Sequence, residues 1–383
     1  MQRGTNSIWK KTMRSFGFLV FVIITFICWG IYGPVLHHGQ DGMGIPGQKS
    51  SLRPFVCVGI AYFLIAVLYP VVVLITKGES GHWTTFGFIW SFVAGAVGAV
   101  GALGIIMAFK LGGKPVYVMP LVFGLAPVVN TIVTGLMSRT IKQASLLFYL
   151  GVLIVAVGAA GVMYFKPTGK IKKAELDSNV LVLHAQTDGQ DKDAEEVESS
   201  SDEKPTAVVA SKKDKESGYF WVFACVGVTA LCWGAYGPVL HRGQAQMGGS
   251  RLRPFLCVGL AYFAIAVVIP FFLMGQFNEP GPESSIWFNS GMVWSLLAGA
   301  AGAVGALGII YAFNFGGKPI FVMPLVFGIA PVVNTFTEIV SKSLYESIPT
   351  PFYLSLILVI LGAIMVLVCA PRPKKPKPKP EVV

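Results

Sequence analysis

AGAVGAVGALGIIMAFKLGGKPVYVMPLVFGLAPVVNT, Ala94 to Thr131, returns almost letter for letter as AGAAGAVGALGIIYAFNFGGKPIFVMPLVFGIAPVVNT, Ala298 to Thr335. Two shorter stretches repeat in the same order. CWGIYGPVLHHGQ (Cys28–Gln40) is echoed by CWGAYGPVLHRGQ (Cys232–Gln244), and SLRPFVCVGIAYFLIAV (51–67) by RLRPFLCVGLAYFAIAV (251–267). Self-similarity along a whole chain marks a duplicated structural unit. What the unit is follows from its composition.

Hydrophobic residues make up 54% of the 383, charged residues 13%, and the mean hydropathy is +0.66. A soluble surface needs about twice that charge. Apolar runs of about twenty residues recur throughout, the length a helix needs to cross a bilayer. The reading is an all-α polytopic membrane protein with spans at about 15–36, 54–77, 86–109, 115–137 and 145–165, then 218–240, 254–275, 290–313, 319–341 and 351–370. The first run exceeds a signal-peptide core and no small-residue cleavage site follows, so it is read as a retained span. The expected organisation is a five-helix repeat over 1–166, a second over 218–370, a charged linker at 167–217 too polar to fold, and a Pro/Lys tail at 371–383.

An odd number of spans per unit inserts the two copies in opposite directions. Charge supports a cytoplasmic N-terminus. One side then collects Arg3, Lys10, Lys11, Arg14, Lys77, Arg139, Lys142, Arg242, Arg251, Arg253, Lys318 and five tail residues. The other, leaving out the linker, holds Lys49, Arg53, Lys110, Lys114 and Lys342: sixteen against five. Such a positive-inside bias implies a multi-pass protein of the inner or plasma membrane, both termini cytoplasmic and the linker outside. Inverted repeats create a pseudo-two-fold axis in the membrane plane, the symmetry alternating access uses.

Several duplicated residues are candidates to face a solute. Pro120 and Pro127 fall inside the fourth span and Pro324 and Pro331 inside the ninth; proline there is expected to break or kink a helix. Asn130 and Asn334 follow, and a carboxamide at membrane depth either bonds a neighbouring helix or offers donors and acceptors to a polar solute. Trp29, Tyr32, Trp233 and Tyr236 could form flat walls for a sugar ring or an organic cation, or pack and anchor. The glycines at 95, 98, 101 and 104, repeated at 299, 302, 305 and 308, read as a close-packing face. Glu338 sits at the outer end of its span, Thr134 standing at its counterpart, and His37 and His241 close their spans; no mid-membrane carboxylate relay is expected. The two Trp–Tyr pairs are expected to join an asparagine each, Trp29 and Tyr32 with Asn334, Trp233 and Tyr236 with Asn130, on opposite sides of a central cavity.

The six cysteines lie in or beside apolar runs and read as packing residues. No nucleophile–base pair or metal-ligand cluster points to an enzyme, metal or cofactor. The net charge of +11 sits in loops and tails and is read as setting orientation, not binding nucleic acid. The expected partners are a small-molecule substrate and the lipid bilayer, in a monomer or homodimer.

Ten spans as two inverted five-span repeats, with prolines in the fourth and ninth, resemble the drug/metabolite transporter superfamily, the EamA-like transporters. The stretch Trp29–Val35, repeated at Trp233–Val239, is most similar to its sugar-carrying branches, the glucose/ribose porters and rhamnose symporters. The resemblance implies a secondary transporter whose cavity is lined by helices one, three, four, six, eight and nine. On it, Trp29, Tyr32, Asn130, Trp233, Tyr236 and Asn334 become expected liners. A sugar is the first expected solute. Amino acids, amines or drug-like metabolites are the alternative, and a passive channel or scaffold the alternative class.

Overall fold

The structure is a computed structural model and describes residues 2–166, 212–274, 288–317, 319–342 and 348–371, with backbone alone for 2–16, 212–218 and 319–321. Ten helices among these residues are long and apolar enough to cross a membrane. They are α1 (Gln2–Gly42), α2 (Leu52–Thr76), α3 (Thr85–Lys110), α4 (Pro115–Met137) and α5 (Leu146–Tyr164). The second half supplies α6 (Lys212–Gln246), α7 (Leu252–Leu273), α8 (Ser290–Asn314), α9 (Pro319–Lys342) and α10 (Thr350–Val368). The chain is a multi-pass membrane protein. The expected linker lies outside the described residues as far as 211, and α6 begins at Lys212 instead of 218; the tail lies outside them from 372.

Local chemistry sets the helix starts. Thr84, Ser145 and Asn289 accept the backbone N–H three residues on (Gly87, Phe148, Met292), capping α3, α5 and α8. After α3 and α8 the chain reverses through Gly112 (φ 92°) and Gly316 (φ 91°), a backbone conformation only glycine adopts freely. Lys114 is extended, and Pro115 then opens α4, where its missing N–H costs nothing.

The halves interlock by exchange. Trp29 Nε1 of α1 donates to Gly302 O of α8 at 3.2 Å, and Trp233 Nε1 of α6 donates to Gly98 O of α3 at 3.2 Å. Thr25 Oγ1 donates to Gly305 O and Thr229 Oγ1 to Gly101 O, both at 3.1 Å. A Cβ on Gly305 or Gly101 would overlap the indole packed there, so the glycine stripe is what lets these helices approach. Gly59 of α2 lies against Ala266 and Val267 of α7, and Gly259 against Ala66 and Val67. Gly151 and Gly158 of α5 meet Val366 and Val359 of α10, and Gly362 meets Val155. The pairing advances along one helix as it retreats along the other, so corresponding helices of the two halves run antiparallel. The repeats are inverted about an axis lying across the helices.

One expectation about backbone irregularity needs correction. Pro120, Pro127, Pro324 and Pro331 do not break α4 or α9, which run unbroken from Pro115 to Met137 and from Pro319 to Lys342. Neighbouring helices enclose α4 along most of its length, and the Thr131 hydroxyl donates back to Pro127 O at 2.9 Å. The irregular turns lie in α2 and α7. Each carries a π-helical turn, Leu64–Leu68 and Ala264–Val268, just before Pro70 and Pro270, where proline removes an i→i−4 bond. Helices α5 and α10 expose Leu153, Val157, Leu354 and Leu361 as apolar surface of the kind lipid covers.

Candidate functional site

Call the face where α1 begins the near face, and the face where α1 ends the far face. Successive crossings then put the ends of α4 and α6 on the near face. A cavity of about 560 Å³ lies between the halves and reaches those ends, within the size range of small-molecule sites. Its deep wall is aromatic. Tyr62 and Tyr262 stack near the pseudo-axis with centroids 3.8 Å and planes 3° apart. Tyr32 meets Trp233 edge-on at 6.0 Å, Phe123 lies 6.5 Å from Trp233 and 6.2 Å from Phe327, and Phe327 lies 6.1 Å from Trp29. Tyr32 lines the cavity, but its hydroxyl is buried and has no hydrogen-bond partner among the described residues.

Polar groups collect toward the mouth. Asn130, Thr134, Ser138, His241, Arg242 and Gln244 line it from α4 and α6, and Arg251 from the α6–α7 loop. No carboxylate is among the described residues that line it. Arg242 sits over the Trp90 ring at 5.1 Å. Arg251 Nη1 donates to Asn314 Oδ1 at 2.7 Å, and burial pulls its guanidinium down from its ordinary value while Glu79 opposes that. Glu79 also accepts from the N–H groups of Arg251 (3.0 Å) and Leu252 (3.2 Å), hydrogen-bonds the Ser250 hydroxyl and pairs with Arg253 at 3.6 Å. It pins the start of α7 to the α2–α3 loop.

The far face is sealed. Asn334 is fully buried, its Nδ2 donating to Pro115 O at 2.8 Å. Gly33 lies against Met119 and Asn334, whereas its counterpart Gly237 meets only the Asn130 amide nitrogen. Gln40 Nε2 bridges Ser50 O (3.1 Å) and Ile106 O (3.0 Å). Four pairs of counterparts differ in exposure: Asn334 and Asn130, Tyr32 and Tyr236, His37 and His241, and Gln40 and Gln244 are each buried on the far side and more open on the near side.

Five of the six expected liners border one cavity: Trp29, Tyr32, Asn130, Trp233 and Tyr236. Asn334 does not, because its side of the molecule is closed. The expected pair of separate clusters is corrected likewise, since Tyr32 of the first half touches Trp233 of the second and the walls merge. Sequence reasoning passed over Tyr62, Tyr262, Phe123 and Phe327. All four lie in the duplicated AYF and PLVFG stretches, a signal available from the repeat itself. Comparison of the chain with protein-family models and with curated proteins finds no match.

Proposed function

We propose that the chain is a secondary transporter that moves a small polar organic solute by alternating access, with a sugar as first candidate. The observation carrying this reading is the asymmetry between duplicated residues. Near-identical sequences occupy inverted positions, yet Asn334, His37 and Gln40 are sealed while Asn130, His241 and Gln244 line a cavity. The inverted packing could hold the exchanged arrangement, with Asn130 sealed and Asn334 exposed, through equivalent contacts, which is the requirement for a site open to alternate faces. Aromatic walls suit the apolar faces of a sugar ring, and the Asn130 carboxamide suits its hydroxyls. The absence of a lining carboxylate disfavours the alternative of amines or cationic metabolites. The reading agrees with the resemblance to drug/metabolite transporters, and the charge count supports a cytoplasmic near face. The test is uptake and counterflow of a labelled solute panel in proteoliposomes. Saturable counterflow of a neutral hydroxylated solute is expected. Flux that neither saturates nor shows counterflow for any solute overturns the reading in favour of a channel or scaffold.

A further inference from the structure

The last turn of α8 repeats that of α3, and the pair shows what closing a face requires. In the far seal, Gln40 Nε2 donates to Ile106 O at 3.0 Å, and the His37 ring lies edge-on to Phe109 at 5.4 Å. The end of α1 is thereby fastened to the last turn of α3. Position for position, these four residues recur on the near face as Gln244 and His241 at the end of α6 and as Ile310 and Phe313 in the last turn of α8. There all four line the cavity instead. Both places on α8 are held by Arg251. Its Nη1 donates to Asn314 Oδ1 at 2.7 Å and lies 3.4 Å from Ile310 O, and its guanidinium stands 5.4 Å from the centre of the Phe313 ring. The short bond to Asn314 anchors the group, while the longer approach to Ile310 O and the contact with the ring place it over the surface that the far seal uses.

The duplication supplies an internal control. The counterpart of Arg251 is Ser51, and that of Asn314 is Lys110. On the far face Lys110 Nζ donates to Ser51 Oγ at 3.1 Å, so the cation is rooted in the helix and reaches out to the loop. On the near face the cation is rooted in the loop and reaches onto the helix. Glu79 fixes that root, accepting the backbone N–H of Arg251 at 3.0 Å.

From this we infer that Arg251 is a latch that holds the near face open, by occupying the turn of α8 that Gln244 and His241 must take to close it. The inference rests on the alternating-access reading. Closing the near face then means exchanging the contacts of Arg251 with Asn314, Ile310 and Phe313 for those of Gln244 and His241. The far face, with serine at 51, carries no such latch. The two-state balance is therefore biased toward the arrangement described here, and Arg251 sets how often the far face opens. It is a positioning residue, acting through α6 and α8 and not through contact with the solute.

The test needs no knowledge of the solute. Leu36 is fully buried in the far seal. A cysteine there, in the full chain with its six native cysteines replaced by alanine and reconstituted in liposomes, is labelled from the far face by an impermeant thiol reagent. Its rate reports how often that face opens. R251S, which places the first copy's residue here, is expected to raise the rate about threefold or more, the scale of one hydrogen bond from a charged donor open to some water. N314A removes the short acceptor, and is expected to raise the rate as well but to add nothing once R251S is present. Q244A removes the closing bond and is expected to lower the rate about threefold. A cysteine at Thr134, labelled from the near face, is expected to speed up in none of these variants, whereas a loosened fold would speed both positions. An R251S protein that labels at Leu36 no faster than its parent, or that speeds both positions, overturns the inference. So does a Q244A protein that labels like its parent. If R251S fails to fold, N314A and Q244A decide, and an unchanged rate in either overturns the inference. If labelling behaves as expected while no solute shows counterflow, the latch stands and the transport reading fails. Counterflow in a protein whose labelling ignores R251S removes the latch alone.

Discussion

Asn334→Ala probes the far seal at one hydrogen bond. In the sealed state the Asn334 amide donates to Pro115 O at 2.8 Å with no exposure. Removing the amide leaves that carbonyl without this donor when the seal is shut, whereas in the open state water can reach it. The loss therefore falls on the sealed state alone. Measured side-chain hydrogen bonds between membrane helices average about 0.6 kcal/mol and reach about 1.7, and Pro115 O keeps its place in the α4 ladder. A penalty of about 0.6 to 1.7 kcal/mol shifts the sealed-to-open ratio by about 3- to 18-fold. Hydrogen–deuterium exchange read by mass spectrometry should show this as faster exchange in peptides covering 33–43 and 333–342. Asn130→Ala should leave those peptides unchanged, because Asn130 lines the open cavity and seals nothing in this state. If Asn334→Ala folds normally and exchange at the far seal rises by less than twofold, the hydrogen bond does not hold the seal.

Gly305→Val and Gly101→Val should each destabilise the fold by about 1 to 3 kcal/mol through overpacking against Trp29 or Trp233, seen as a lower melting temperature in detergent. Trp233→Ala should weaken solute binding by about two- to tenfold, the worth of one aromatic contact of about 0.5 to 1.5 kcal/mol, measured by equilibrium binding. Glu79→Gln removes the carboxylate that holds the α7 start and should cost about 1 kcal/mol, again read as melting temperature. A reporter fused after Pro205 should be active only outside the cytoplasm if the positive-inside count sets the orientation.

The duplication and the ten helices were legible because length and apolarity alone define a span, and the spans lie within a few residues of expectation in most cases. The first was cut short at Leu36, where HHGQ reads as polar. The helix continues to Gly42 because Gln40 is buried and bonded to two carbonyls across the far face. Which face is open was not legible. Tyr32 and Tyr236, or Asn130 and Asn334, sit in the same letters in both copies, and a conformational preference is a small energy difference spread over the whole structure. Where the copies diverge, the sequence did hold the information. Glu338 opposite Thr134 was visible as an unmatched carboxylate, but its complete burial beside Lys342 depends on α1 and its loop folding over it, which no local pattern states. Proline misled for a related reason, since tertiary neighbours decide whether a helix breaks.

The exchange of exposure between the two faces is tested most directly by reciprocal labelling. Cysteines are placed one at a time at Thr134, exposed at the near mouth, and at Leu36, buried in the far seal. An impermeant thiol reagent is offered from each side, with and without a solute that shows counterflow. Alternating access predicts that 134 reacts only from the near face and 36 only from the far face, and that any condition speeding one slows the other. Simultaneous reactivity at both positions, or a change at one with none at the other, would contradict it.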